Sequence, residues 1–98
     1  MSVYFIANIQ IRDENEYQKY LDRAGEIFRK FNGRYLAVDD NPLILEGKWD
    51  YTRTVLIAFN KKADFEAWYH SGDYRKILDY RLKSADCDTL LVKGMDES

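Results

Sequence analysis

The stretch VYFIANIQI, Val3–Ile11, has the alternating pattern of a β-strand and decides the fold class. Apolar residues occupy every second position, and successive side chains of a strand point to opposite faces of its sheet. The other face of this strand carries Tyr4, Ile6, Asn8 and Gln10. Because Tyr4 and Ile6 are largely apolar, a sheet built on this strand needs cover on both of its faces.

A helix is predicted directly after this strand. Asp13 is a favoured N-cap residue, and Glu16 follows at the spacing of a capping box. Apolar residues then recur at helical spacing and form one stripe. Asn32-Gly33 ends the helix, because glycine tolerates the left-handed conformation that is common after a helix. The stripe consists of Tyr17, Tyr20, Leu21, Ala24, Ile27, Phe28 and Phe31.

The middle of the chain is predicted to form two strands. The first covers residues 34–39 and, after turn chemistry at residues 39–42, continues over residues 43–49. A tight turn then leads to Arg53–Phe59, RTVLIAF, which is rich in β-branched residues.

The last part of the chain is predicted to hold a broken helix and a final strand. Residues 61–70 form a short helix, the Ser71-Gly72 pair interrupts it, and Asp73 caps a second helical segment. Residues 89–93 form the last strand. The order β-α-β-β-α-β belongs to the α+β class and is the ferredoxin-like split βαβ arrangement with an antiparallel sheet.

Two helical regions cover only one face of such a sheet. On Arg53–Phe59 either alternating set of side chains is apolar, so the uncovered face is apolar too. A large exposed apolar face is unusual in a monomer, and a symmetric dimer buries the same patch on both copies. We therefore expect a homodimer that packs sheet to sheet, with the space between the sheets as a natural pocket.

Composition and charge exclude several classes of function. The net charge is −2 and no basic stripe is present, so nucleic acid is not an expected partner. One cysteine and one histidine offer neither a disulfide nor the spacing of a metal site, and no glycine-rich loop suggests a cofactor. The sequence has no signal peptide or membrane-spanning run, which favours a cytosolic protein without a membrane partner. The 98 residues suit one domain, with its core at about residues 3–94.

Several motifs along the chain are together fairly specific. They are Tyr17, Tyr20, NGRYL at residues 32–36, LEGKWDYTRTVLIAF at residues 45–59, AWYHSGDY at residues 67–74, and Arg81. With these motifs the chain resembles the small bacterial family called domain of unknown function thirteen-thirty. The resemblance runs from about Tyr4 to Gly94 and implies a ferredoxin-like protomer of the dimeric α+β barrel superfamily. The family usually has Ser-Pro where this chain has Ser71-Gly72, and Gly-Gly-Arg at residues 32–34. It has no agreed activity, so the resemblance implies architecture and not chemistry.

Arg81 is a candidate ligand-binding residue. It lies within an apolar helical stripe, and a buried guanidinium is costly unless it is paired. Two interpretations stay open at this point. Arg81 either forms an internal ion pair with Glu46 or Asp50, or it binds the carboxylate of a ligand.

Three further candidates lie near the tight turn at residues 50–51. Glu46 and Trp49 point to opposite faces if their strand is regular, whereas Arg53 can share the face of Trp49. The functional interpretation is a pocket rim with an aromatic wall and a cation for an anionic ligand. The structural interpretation is a hairpin in the dimer interface, where such residues are enriched.

The remaining candidates lie close to the helix break. His70 is the side chain whose ordinary pKa allows it to titrate near neutral pH, and His70 and Tyr69 are the candidate catalytic residues. The alternative for His70 is an exposed position at a helix C-terminus. Trp68 and Tyr69 are candidate ligand contacts or, at this spacing, core residues.

Three functions follow from these features. The first is a homodimeric module that binds an aromatic or aliphatic carboxylate. The second is a cofactor-independent enzyme of monooxygenase or isomerase type, by analogy with the superfamily. The third is a structural dimer without a ligand, and the sequence leaves open whether the protein is an enzyme. The ligand-binding candidates are Glu46, Trp49, Arg53, Trp68, Tyr69 and Arg81.

Overall fold

A computed structural model describes residues 2–95, so residue 1 and residues 96–98 of the predicted domain lie outside it. The four strands form one sheet in the order β2-β3-β1-β4, and each neighbouring pair is antiparallel. This confirms the predicted α+β class and ferredoxin-like protomer. The elements are β1 (Val3–Ile11), α1 (Glu14–Lys30), β2 (Gly33–Asp39), β3 (Arg53–Phe59), α2 (Lys62–Tyr69), α3 (Gly72–Ser84) and β4 (Ala85–Lys93).

The core lies between the helices and one face of the sheet, which we call the covered face. Val3, Phe5, Ala7 and Ile9 of β1 are buried there, as the alternation predicts. α1 begins at the predicted N-cap, where Asp13 accepts a hydrogen bond from a backbone N–H. The predicted stripe of α1 is buried or half-buried along its length.

The end of α1 differs from the prediction in one respect. The residue with a left-handed backbone is Asn32, with φ of 66°, rather than Gly33. Gly33 is required for space, because a Cβ atom there would lie 2.5 Å from the Phe28 ring and 2.8 Å from the Phe59 ring. The glycine therefore permits close packing of β2 against the core.

The predicted strand at residues 43–49 is wrong. β2 ends at Asp39, and residues 40–52 form neither helix nor strand. β2 already pairs with β3 from Gly33 to Asp39, with one irregularity between Tyr35 and Ala37. A further strand would need another partner for its backbone groups. The apolar side chains that suggested a strand are instead exposed, and Leu43 and Leu45 are 85% and 84% accessible.

Two boundaries in the last part of the chain also differ. The N-cap of α3 is Ser71, whose side chain accepts a hydrogen bond from the Tyr74 N–H, so the predicted cap Asp73 lies in the first turn instead. β4 begins at Ala85 instead of residue 89 and pairs with the whole of β1. Its early residues, Asp86 and Asp88, are poor strand formers, and the pairing overrides their propensity.

The second face of the sheet, which we call the open face, has no helix over it in the described part of the chain. The set of β3 side chains on this face, left undecided by the sequence, contains Leu56 and Ala58. Leu90 is 57% exposed and Val92 is 40% exposed. The uncovered apolar face is therefore present. Two rows cross it, Leu56-Ile6-Leu90 and Ala58-Tyr4-Val92.

Candidate functional site

A cleft leads from the surface into a small cavity between α1, α3 and the covered face. The outer part, which we call the Arg53 cleft, has a volume of 380 Å³. The inner cavity has a volume of 20 Å³ and shares Tyr17, Leu21 and Arg53 with the cleft, so the two lie side by side. The inner cavity is lined by Phe5, Ala7, Ile9, Tyr17, Tyr20, Leu21, Tyr35, Arg53, Val55, Ile57 and Arg81.

Arg53 lies where the cleft meets the inner cavity. Its pairing with the buried Ile9 directs its side chain to the covered face. The Nη1 atom donates a hydrogen bond to Oδ1 of Asp40 at 2.7 Å, and the Arg53 side chain is 13% exposed against 70% for Asp40. An ion pair with such an exposed partner adds only about 0–1 kcal/mol to stability. The buried Nε atom has no hydrogen-bond partner within residues 2–95.

Arg81 projects from α3 into the inner cavity and is only 4% exposed. Its guanidinium lies 5.8 Å from the centre of the Tyr20 ring, and its Nε atom lacks a hydrogen-bond partner in the described residues. The predicted ion pair with Glu46 or Asp50 is wrong, because neither carboxylate contacts Arg81 in residues 2–95. A buried guanidinium without an anion is costly.

Tyrosine hydroxyl groups accompany the two guanidinium groups. The Tyr20 and Tyr74 hydroxyls are hydrogen-bonded at 3.0 Å. Burial raises the pKa of Tyr17 well above its ordinary value, and Arg53 and Arg81 both act in the opposite direction. Burial likewise raises the pKa of Tyr20 and Tyr74. All three phenols are therefore neutral at neutral pH. Tyr17 can donate a hydrogen bond to an anion, whereas in the Tyr20–Tyr74 pair one hydroxyl already donates to the other.

Glu46 and Trp49 lie elsewhere, beside the open face. They line an apolar hollow of 410 Å³ together with Thr54, whose pairing with Asn8 places it on that face. The prediction that Arg53 shares the face of Trp49 is wrong. It assumed a regular hairpin, whereas residues 43–49 form no strand and Trp49 packs against Tyr51 at 4.9 Å.

Trp68 and Tyr69 belong to an aromatic cluster beside the core. Trp68 is 1% exposed, and its ring centre lies 4.2 Å from that of Tyr74. Tyr69 stacks on Phe65 at 5.4 Å. His70 is exposed at the C-cap of α2, with Nδ1 3.2 Å from Nη2 of Arg75. Trp68, Tyr69 and His70 line neither the inner cavity nor the Arg53 cleft.

The structure thus brings together Arg53 and Arg81 from the predicted set and separates them from the other candidates. It adds Tyr17, Tyr20 and Asp40, which the sequence placed only in an apolar stripe and a turn. The two tyrosines carried a usable signal, because a buried phenol generally needs a polar partner. Asp40 carried none, since its contact with Arg53 depends on the pairing of β2 with β3.

The described residues contain no group of three or more His, Cys, Asp or Glu side chains able to hold a metal ion. Among residues 2–95, no helix combines the length and the apolar content needed to cross a membrane.

The fold is that of a ferredoxin-like α+β protein. The chain belongs to the family described as Domain of unknown function (DUF1330), whose model matches residues 2–95. This confirms the resemblance seen in the sequence. No curated protein matches the chain.

Solved structures share this fold at low sequence identity. A protein of unknown function from Rhodopseudomonas palustris is similar with a TM-score of 0.82 and 16% identity, covering 97% of this chain and 83% of that chain. SnoaB, a cofactor-independent oxygenase from Streptomyces nogalater, has a TM-score of 0.70 and 11% identity, covering 97% and 94%. A dimeric ferredoxin-like protein of unknown function from Thermobifida fusca has a TM-score of 0.70 and 15% identity, covering 96% and 92%.

Proposed function

We propose that this protein is a homodimeric module that binds small aromatic or aliphatic carboxylates. The observation that carries the proposal is the pair of guanidinium groups, Arg53 and Arg81, lining one cavity with buried and unpartnered Nε atoms. Charged hydrogen bonds to a carboxylate are strong, and the planar guanidinium fork matches the carboxylate geometry. The residues that line the inner cavity include no carboxylate, so an acid from outside would complete it.

The shape of the site suits a ligand of small size. The Arg53 cleft falls within the range of about 300–1,000 Å³ that is typical of small-molecule sites. The inner cavity of 20 Å³ holds about one water molecule, so an acid group reaches Arg81 only when a wall moves. The wall that would move contains Leu21 and Tyr35, because both line the cavity and both side chains are partly accessible to solvent.

The homodimer part of the proposal rests on the open face. Its apolar rows match the kind of surface that a second copy covers, and a similar protein from Thermobifida fusca is described as dimeric. The ligand site proposed here lies on the other side of the sheet from that interface. Each protomer would therefore hold its own ligand. The cytosolic location expected from the sequence stays a prediction.

A cofactor-independent enzyme is the second candidate. The fold likeness to SnoaB favours it, and Tyr17 lines the same inner cavity as the two guanidinium groups. A proton-transferring enzyme also needs a base near the substrate. His70 lies outside the cavity and the phenols have raised pKa values, which is why a binding role is preferred. A structural dimer without a ligand would leave the buried Nε–H groups of Arg53 and Arg81 without an acceptor in the described residues.

A thermal-unfolding screen with benzoate, salicylate and hexanoate tests the proposal, with benzamide as an uncharged control. A ligand at about a hundred times its Kd adds about 2.7 kcal/mol of stability. We expect at least one acid to raise Tm in the wild type but not in Arg53→Ala or Arg81→Met, and benzamide to have no effect. A screen in which no acid raises Tm, or in which both variants respond like the wild type, contradicts the proposal.

A further inference from the structure

We propose that Asp40 is a built-in competitor of the ligand, whose carboxylate occupies Arg53 in the unliganded protein and leaves when an acid binds. This inference rests on the proposed carboxylate-binding function. It assigns a role in setting the affinity for the ligand to a residue outside the inner cavity.

The geometry of the Asp40–Arg53 pair is that of an incomplete carboxylate site. One bond, from Nη1 to Oδ1 at 2.7 Å, joins the two groups. The Nε atom on the same guanidinium stays buried without a partner in residues 2–95. An acid that pairs end-on with the guanidinium of Arg53 takes Nη1 and Nη2 in two parallel bonds. It therefore competes with Asp40 for Nη1 and also uses Nη2, which has no partner in residues 2–95.

The surroundings of the two residues show which of them moves. Arg53 is the first residue of β3, pairs with Ile9 of β1, and has a side chain that is only 13% exposed, so it has less freedom to move. Asp40 follows the last residue of β2, lies outside any helix or strand, and has a side chain that is 70% exposed. Its carboxylate loses little when it leaves the guanidinium, because water already solvates most of it.

The position of Asp40 makes its departure relevant to binding. Asp40 and Arg53 both line the cleft, so the carboxylate and the guanidinium that the ligand needs share the same opening. Glu14 lines the same cleft but forms no ion pair with Arg53 in the described residues. Glu14 therefore offers a matched control, because its substitution removes the same charge from the same opening without freeing Arg53.

Calorimetric titration with benzoate, salicylate and hexanoate tests the inference on the wild type, Asp40→Asn and Glu14→Gln. We expect Asp40→Asn to bind the tightest of these acids about fivefold more strongly, and Glu14→Gln to change the affinity by less than about twofold.

Other outcomes separate the two proposals. Equal gains for Asp40→Asn and Glu14→Gln would show a general field effect and overturn the competitor role. Weaker binding by Asp40→Asn would show that Asp40 holds Arg53 in position, which also overturns it. If Asp40→Asn bound the acids with the same affinity as a wild type that binds them through Arg53 and Arg81, the competitor role alone would fail. If none of the proteins bound any acid, the carboxylate-binding function would fail and this inference with it.

Discussion

The two faces of the sheet carry apolar side chains of similar kind but differ in what covers them. On the covered face Ile57 is 5% exposed, whereas on the open face Leu90 is 57% exposed. The chain buries the first face with its own helices and leaves the second without a cover in the described residues. Both buried guanidinium groups lie on the covered side. The covered face therefore holds the side chains that stabilise the protomer together with two guanidinium groups whose Nε atoms lack a partner in residues 2–95. The open face holds apolar side chains that nothing in the described part of the protomer covers.

The largest effect should come from a charge on the open face. Leu90→Asp would place two carboxylates in a symmetric interface, and burying an unpaired charge is very unfavourable. We expect the variant to be monomeric by light scattering at concentrations where the wild type is a dimer. Leu82→Asp is the control, since Leu82 on α3 is 56% exposed against 57% for Leu90. A dimer in both variants, or a monomeric wild type, would show that the open face is not the interface.

Neighbouring residues of β3 allow the two faces to be compared directly. Ile57 points to the covered face and Leu56 to the open face. Ile57→Ala should lower the free energy of unfolding by about 2–5 kcal/mol at any protein concentration. Leu56→Ala should have a smaller effect that grows with protein concentration, because it acts through the dimer. Urea unfolding at several concentrations measures both, and identical losses at every concentration would remove the distinction.

A smaller effect is expected where the covered face is packed without spare room. Gly33→Ala places a methyl group against the Phe28 and Phe59 rings, and overpacking of this kind costs about 1–3 kcal/mol. Asn32→Gly should leave stability nearly unchanged, because glycine accepts the left-handed backbone at that position. If thermal unfolding showed the opposite ranking, the glycine would be needed for its backbone and not for its lack of a side chain.

The parts of the fold that depend on local periodicity could be predicted from the sequence. The alternation of β1 and the stripe of α1 each repeat within one element, and both are found where expected. The apolar residues at 43–49 were misleading, because an exposed apolar loop has the same composition as a strand. These exposed residues line a hollow beside the open face, and the position of that face could not be read from the local sequence.

The candidate site could be predicted only in part. Arg81 was identified because a charged residue in an apolar stripe needs a partner, and that argument is local. Its convergence with Arg53 depends on the pairing of β3 with β1 and on the packing of α3, which are contacts between distant parts of the chain. The contact between Arg53 and Asp40 has the same origin.

The central claim is that the guanidinium groups of Arg53 and Arg81 bind the acid group of a ligand. A proton–nitrogen correlation spectrum of the arginine Nε–H groups tests it most directly, with assignments from Arg53→Lys and Arg81→Lys. On titration with whichever of benzoate, salicylate and hexanoate raises Tm most, the Arg53 and Arg81 signals should move together and saturate. The signals of the exposed Arg23 and Arg75 should stay in place. Unmoved Arg53 and Arg81 signals, or equal shifts of all four, would contradict the account.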